Sequence, residues 1–547
     1  MGSSGPDQQV LIESARAAHR EHRYDAAYDG LRAAQDLGGL VPEDLHRLAD
    51  AAWWLGLVPE CLRITESAHR EFLSSGNLDR AATQALDIGG MLAMRGEPAL
   101  AAGWLSRARR LLEGIPVGPA HGTLWYIDLS FALGEGHLDL AAQLAADLCR
   151  LGRESGPDDS VALGQLGEGL VLLRRGQVAE AFARFDEAML LAVGGLVDPE
   201  WAGHICCMIV SACLDVADLD KARLWSRAAY RWLEDFEHAV MFTGVCRAHT
   251  VALLVSEGEW LAAEREAALV VRDLAELNVA AVAEVEYQRG DCHRLRGELV
   301  EAEAAYARGH ALGRDPQPGL ALLQLARGDE ETAWGSVSDA MARSSADPFR
   351  SARLLRATVT IGLATDHVRA AGAAAGSLRE LAETYRTPGY LAWAAHCDGA
   401  VALARGQTAA ALERLTWAAM ASRRMRAWCD AAATDLLLAE VHLGLGDEAK
   451  STSYRDSASA VLRRLGIAAP EQRARRVRST PLTARESEVL AQVATGAANR
   501  VVAEAMSISE ATVRRHLANI FRKLDVRSRT EAAAWAHRHG LVPETQA

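Results

Sequence analysis

Lysine is nearly missing from this chain. Only Lys221, Lys450 and Lys523 occur among 547 residues, and none follows a glycine. That excludes a P-loop, whose Gly-Lys-Ser/Thr end supplies the lysine that reaches the β/γ-phosphates. G-x-S-x-G, H-E-x-x-H and a strand-linked G-x-G-x-x-G are also missing, so the usual hydrolase, zinc-protease and dinucleotide signatures are gone. No alternation of strand and helix patterns could house a phospho-acceptor domain. An enzyme is not expected. Aromatic residues make up 5% and prolines number 15, and β-branched runs are short, which argues against a large sheet. The nine cysteines form no C-x-x-C pair. They read as reduced, buried thiols, with no metal and no cofactor. The apolar run 205–214, ICCMIVSACL, is too short to span a bilayer. The start, MGSSGPDQQV, lacks the basic and apolar regions of a signal peptide. A soluble, cytoplasmic chain with no membrane partner is expected.

What is abundant is Ala, Leu, Arg and Glu, the helix formers. The charge they carry is unevenly placed. The whole chain has 59 basic and 72 acidic side chains, net −13. From Glu471 onward there are 13 basic and 8 acidic residues, leaving 46 and 64 for everything before it. An acidic body therefore precedes a basic tail.

The body repeats itself. In LVLLRRGQVAEAFARFDEAM (170–189), Gly176 ends one apolar-periodic segment, and Ala181, Phe185 and Ala188 follow. The same grammar recurs with Gly96, Ala101, Leu105 and Ala108, with Gly297, Ala302, Tyr306 and Gly309, and after Gly328 and Gly406. A further glycine stands seven residues before several turns, at Gly89, Gly169, Gly290 and Gly399. Turns fall near 22, 56, 96, 136, 176, 217, 258, 297, 328, 366, 406 and 446, a period near 40 apart from a first gap of 34 and one of 31. Each unit reads as a helical hairpin that cannot bury its apolar face alone, so neighbours must stack into a solenoid. The Gly, Gly, Ala, aromatic, Ala spacing resembles the tetratricopeptide repeat, with a longer period and a poor match at the usual first-helix tryptophan. The resemblance implies a concave binding surface lined by first helices. In this register it includes Tyr126, His204, Glu284, Tyr287, Asp291, Arg294, Trp393 and His396 as candidate residues for an unknown small-molecule, peptide or protein effector.

Beyond IAAPEQRARRVRSTP (467–481), which breaks the periodicity and carries four arginines, four helix signatures follow. Thr483-x-x-Glu486 and Ser528-x-x-Glu531 are capping boxes, Gly496 and Gly540 are stops, and Ser509 caps a basic segment reaching Leu524. A short helix and a long basic one across the Ser507-Ile508 turn fit a helix-turn-helix. Val513, Leu517, Ile520 and Leu524 follow i, i+4, i+7, i+11 and must face a core. Ala511, Arg514, Arg515, Ala518 and Arg522 fall opposite. Small residues there permit close approach to a groove, and guanidiniums can bind guanine bidentately.

The stretch LTARESEVLAQVATGAANRVVAEAMSISEATVRRHLANIFRKLDVRSRTEAAAWA resembles the C-terminal DNA-binding domain of LuxR-type transcription regulators. Val501-Val502 and Ala498 depart mildly from that pattern. The resemblance implies base contacts from Arg514, Arg515, Ala518 and Ala511. Phosphate contacts would come from Asn499, Arg500, Thr512, Arg522 and Lys523, and dimerisation on double-stranded DNA from the last helix, 529–539. The expected fold class is all-α: a tetratricopeptide-like α-solenoid followed by a four-helix LuxR-type helix-turn-helix domain. Residues 1–7 are expected to be disordered or cloning-derived. The repeat array of about 12 hairpins is expected over 8–466, a basic linker over 467–480 and the DNA-binding domain over 481–547. The expected function is an effector-controlled, sequence-specific transcription regulator that acts as a homodimer on DNA. The alternative is a helical-repeat interaction scaffold whose nucleic-acid binding is incidental.

Overall fold

The structure, a computed structural model, describes residues 6–155, 158–344, 347–467, 482, 484–506, 508–524, 526 and 528–538. Thr483, Ser507, His539, Gly540 and nearly all of 467–481 lie outside the described residues, and with them the first capping box, half of the tight turn and the last stop. Among the described residues every element is a helix, and no helix is long and apolar enough to cross a membrane.

Twenty-four helices precede residue 467 and pair in sequence. The first are α1 (Pro6–Arg20), α2 (Tyr24–Leu37), α3 (Pro42–Trp54), α4 (Val58–Ser74), α5 (Leu78–Met94), α6 (Pro98–Leu112), α7 (Pro119–Glu135) and α8 (Leu138–Ser155). Next come α9 (Asp158–Arg174), α10 (Val178–Val193), α11 (Pro199–Asp215), α12 (Leu219–Leu233), α13 (Val240–Glu257), α14 (Trp260–Leu274), α15 (Val279–Arg296) and α16 (Leu299–Ala311). The last are α17 (Gly319–Ala326), α18 (Glu330–Ala342), α19 (Pro348–Ala364), α20 (Val368–Tyr385), α21 (Pro388–Ala404), α22 (Thr408–Arg424), α23 (Trp428–Gly444) and α24 (Glu448–Arg464). The gap of 31 in the repeat coincides with α17, which has only 8 residues.

Every turn position read from the period has a left-handed backbone. Nine are glycines, and the others are His22 (φ 58°), Ala217 (φ 54°) and Asp366 (φ 62°). At Gly176 (φ 77°) the Gln177 amide donates to the Leu172 carbonyl (2.9 Å), which ends α9 and releases α10. The residues that follow are interior: Ala181, Phe185 and Ala188 are fully buried. The glycine seven positions earlier has a separate task. A Cβ on Gly169 would lie 2.4 Å from the Phe185 ring, on Gly290 2.4 Å from Tyr306, and on Gly399 2.6 Å from Leu415. The first helix thus lacks a side chain where the second inserts its largest one.

Stacking does not continue as an open spiral. Hairpins five apart touch, so one coil rests on the next. Side-chain donors meet carbonyls that helix ends leave without intrahelical partners. Trp260 Nε1 donates to Leu465 O (2.5 Å), Thr387 Oγ1 to Val216 O (2.6 Å), and Tyr390 OH to Asp215 O (2.8 Å). Arg95 Nη1 donates to Glu276 O (3.1 Å), and Arg223 Nη2 to Met425 O (2.5 Å). Trp54 stacks on Phe236 across the same seam (5.1 Å) and on Tyr24 of the neighbouring hairpin (4.7 Å). The approach is closest at Gly389, where an added Cβ would sit 2.3 Å from the Ala217 carbonyl oxygen. Gly389→Ala is therefore expected to force the coils apart at a cost of about 1–3 kcal/mol, as overpacking does. Thermal unfolding of the variant checks it, and an unchanged midpoint would show that the seam is not held there.

Candidate nucleic-acid interface and concave face

The C-terminal residues form α25 (Ala484–Ala494), α26 (Asn499–Ala505), α27 (Glu510–Leu524) and α28 (Arg529–Arg538). Their core gathers Leu482, Val489, Leu490, Val493, Val502, Val513, Leu517, Ile520, Ala532 and Ala536. Gly496 (φ 87°) follows α25. Ser509 Oγ accepts from the Thr512 amide (3.1 Å) and caps α27; Ser528 Oγ accepts from the Glu531 amide (3.1 Å) and caps α28.

On α27, Val513, Leu517 and Ile520 are buried, whereas Ala511, Arg514, Arg515, Ala518 and Arg522 are exposed. Arg514 reaches Glu510 only at 3.8 Å, with 64% of its side chain in solvent. Arg522 donates to its neighbour Asn519 (2.9 Å). Arg500, on α26, is 3.8 Å from Glu504 and also exposed. These guanidiniums are available to an anionic partner at little desolvation cost.

Three candidate phosphate contacts have internal partners in the DNA-free chain. Thr512 Oγ1 is 2.9 Å from Ser509 Oγ. Asn499 Oδ1 accepts from Arg529 Nη1 (2.8 Å), which keeps its amide nitrogen for another acceptor. Lys523 Nζ lies 2.8 Å from Glu486 Oε2, whose side chain is 5% exposed. This last pair ties α27 to α25. Lys523→Met is expected to cost about 1–3 kcal/mol by leaving the enclosed Glu486 carboxylate without its ammonium. The readout is faster amide exchange over 484–538, partly reversed by adding Glu486→Gln. Weaker DNA binding without faster exchange would instead assign Lys523 to phosphate alone.

A short helix and a capped, basic-faced helix packed across one small core define the helix-turn-helix class. Residues 480–536 match the family model described as bacterial regulatory proteins, luxR family, and this C-terminal domain is a luxR-family domain. It is similar to the transcriptional regulatory protein LiaR of Bacillus subtilis, 48% identical over 61 residues, which is 11% of this chain and 29% of that one. It is also similar to the CsgBAC operon transcriptional regulatory protein of Escherichia coli, 46% identical over 59 residues, 11% and 27% of the two chains. The chain thus spans less than a third of the length of these relatives. Among solved structures, the hetero-tetramer Cut9-Hcn1 is similar over 98% of this chain and 97% of its own, with TM-score 0.43 and 12% identity. A Rap protein complexed with competence and sporulation factor is similar over 71% and 99%, with TM-score 0.38 and 12% identity.

The eight candidate residues of the concave face divide into three groups, each engaged within the chain. Tyr126 OH is 2.6 Å from His204 Nε2, and Trp201 packs edge-on against both. Burial lowers the His204 pKa to about 4, so this imidazole is neutral. A second group is built on α15. Asp291 accepts from Tyr306 OH (2.7 Å) and Arg294 Nη2 (2.8 Å), and Tyr287 OH accepts from the Gly319 amide (3.2 Å). Glu284 accepts from Arg314 Nε (2.6 Å) and Gln288 Nε2 (2.8 Å). Burial pushes the Glu284 carboxyl up, but Arg314 and Arg353 outweigh it and hold it below its ordinary value. Trp393 lies under the Arg356 guanidinium (5.1 Å), and His396 Nδ1 is 2.9 Å from Thr434 Oγ1.

The sequence reading missed a different part of the concave face. Asp87 on α5, and Asp198 and Glu200 at the start of α11, have carboxyls raised first by burial and then by neighbouring acids, among them Asp50 on α3. The signal was present as His46/Asp50 and Gln84/Asp87, spaced four and three residues apart on first helices.

Proposed function

We propose that the protein is a transcriptional regulator that binds specific double-stranded DNA through α26 and α27. The exposed basic face of α27, opposite its buried Val513, Leu517 and Ile520, carries this reading. The relatives of this domain are themselves transcriptional regulatory proteins. In this reading Arg514, Arg515, Ala518 and Ala511 meet base edges in the major groove, while Arg500, Arg522, Thr512, Asn499 and Lys523 hold the backbone. The helical array binds an effector or partner and sets how the domain is presented, and α28 pairs two copies on a two-fold site. The acidic body is kept off the phosphates by its own charge.

The test is selection from random duplexes with the full chain and with a chain ended after Ile467. A single enriched site, bound with an affinity that falls steeply with salt, is the expected result for the full chain alone. Equal enrichment by the shortened chain would place DNA reading elsewhere.

A further inference from the structure

The first coil holds carboxylates that, among the described residues, no lysine or arginine pairs with. Among the described residues, Asp87, Asp198 and Glu200 make no ion pair with lysine or arginine, and Asp50 meets only His19, at 2.7 Å. Asp198 spends one oxygen on the Glu200 amide (3.0 Å), and its own amide donates to Asp159 (2.7 Å). Arg80 and His46 also face the group, and Arg80 is near enough to lower the Asp87 carboxyl and the His46 imidazole. These acids come from hairpins two, three and six, so separate hairpins rather than one helix bring them near enough to act on one another. Solvent still reaches Asp198 and Glu200.

A second observation points to a missing partner. Gln84 is fully buried, and its Nε2 donates to His46 Nδ1 (3.0 Å) and Asp87 Oδ2 (3.1 Å). Its Oε1, held at the same head group, has no hydrogen-bond partner. An orphan buried acceptor among unpaired carboxylates asks for a donor that is also a cation. A metal ion does not fit. Among the described residues the only three potential metal ligands that converge within 4.8 Å are Asp25, Glu237 and His238, which are different residues. The acids of the first coil are spread too widely to share one ion, which suits a ligand with several separated charges.

We propose that the concave face of the first coil binds an organic polyamine, with Asp50, Asp87, Asp198 and Glu200 receiving its ammonium groups and Gln84 Oε1 accepting from one of them. This rests on the reading of the array as an effector-binding body, and it names the effector's class. The second-coil residues Glu284, Asp291, Arg294 and Trp393 are not part of this site, because their partners are already in place.

Calorimetric titration of the full chain with spermidine at about 0.15 M salt, where exposed charges are screened within about 8 Å, tests it. One saturable site is expected. Asp87→Asn and Glu200→Gln are each expected to weaken it about tenfold or more, the scale of one charged hydrogen bond. The equally charge-reducing pair Glu301→Gln and Glu331→Gln, exposed in the second coil, should leave it unchanged. Asn at 87 keeps an acceptor for Gln84, so lost binding is not lost folding; the thermal midpoint of each variant confirms that. The proposal is overturned if spermidine does not saturate, if the control pair weakens it equally, or if magnesium ion binds at the same residues in its place. Saturable binding that leaves DNA affinity unchanged would keep the site and overturn the effector reading. DNA affinity that responds to cell extract but not to spermidine would do the reverse.

Discussion

Replacing Arg514 and Arg515 together with alanine is expected to lower affinity for the selected DNA site by about one to four orders of magnitude while leaving the fold intact. The estimate follows from about 1–3 kcal/mol for each bidentate arginine–guanine contact and 1.4 kcal/mol per tenfold. Neither side chain supports the domain. Both are exposed on α27, and Arg514 touches only Glu510, at 3.8 Å. Val513, Leu517 and Ile520, on the other side, hold the helix down. The control is Arg500→Ala. An arginine that meets only phosphate should weaken all duplexes alike and reduce the salt slope by about one. The assignment is falsified if the Arg514/Arg515 variant still discriminates the enriched site from random duplex as the native chain does. Single variants separate the two arginines, since each should relax the preference at its own base pair.

Period and spacing carried the fold because one physical rule repeats twelve times. A left-handed turn followed by small residues at fixed offsets leaves a hairpin almost no other way to close, and even His22, Ala217 and Asp366 take the turn backbone that glycine takes elsewhere. The basic face of α27 was legible for a related reason: helical periodicity alone separates Val513 and Leu517 from Arg514 and Arg515. The seam was not legible. Trp260 and Leu465 are 205 residues apart, and no local pattern states that hairpin seven lies on hairpin twelve. That contact depends on the pitch of the whole coil. The concave face was half legible for the same reason. Periodicity places Tyr126 and Glu284 on first helices, but whether a side chain there is free or taken depends on residues many turns away. Tyr126 meets His204, and Glu284 meets Arg314. Asp87 and Glu200, which no arginine or lysine among the described residues pairs, attract no notice in sequence because single acids on helices are ordinary.

Those unpaired acids lead to the second large effect, on stability against pH. Enclosure by protein, then the neighbouring Asp50 and Asp198, pushes the Asp87 carboxyl up to about 7 against the opposing pull of Arg80, and burial pushes Asp198 up to about 6. An ordinary aspartate titrates near 4. Between roughly pH 4 and 7 the folded chain therefore holds protons that the unfolded chain has lost, and unfolding releases them. Stability contributed by these groups is present at low pH and is lost as pH rises through 7. The slope is opposite to that of arginine-paired carboxylates such as Glu284, which is held below its ordinary value and loses its contribution only at more acid pH. Asp87→Asn should remove the largest single penalty. At pH 8 it is expected to stabilise the array by roughly 2–4 kcal/mol, about three pKa units at 1.36 kcal/mol each less solvent screening. At pH 5, where native Asp87 is protonated but the unfolded chain has already lost that proton, the gain should shrink to about 1–1.5 kcal/mol, and it should vanish below about pH 4. Urea unfolding at pH 5, 6.5 and 8 measures this. A variant no more stable than the native chain at pH 8 would mean that Asp87 is not held in a strained, charged state. The same experiment separates a poor core from a waiting site. If the charge is there for a ligand, spermidine at pH 8 should restore to the native chain the stability that Asp87→Asn gains, and should add far less to the variant.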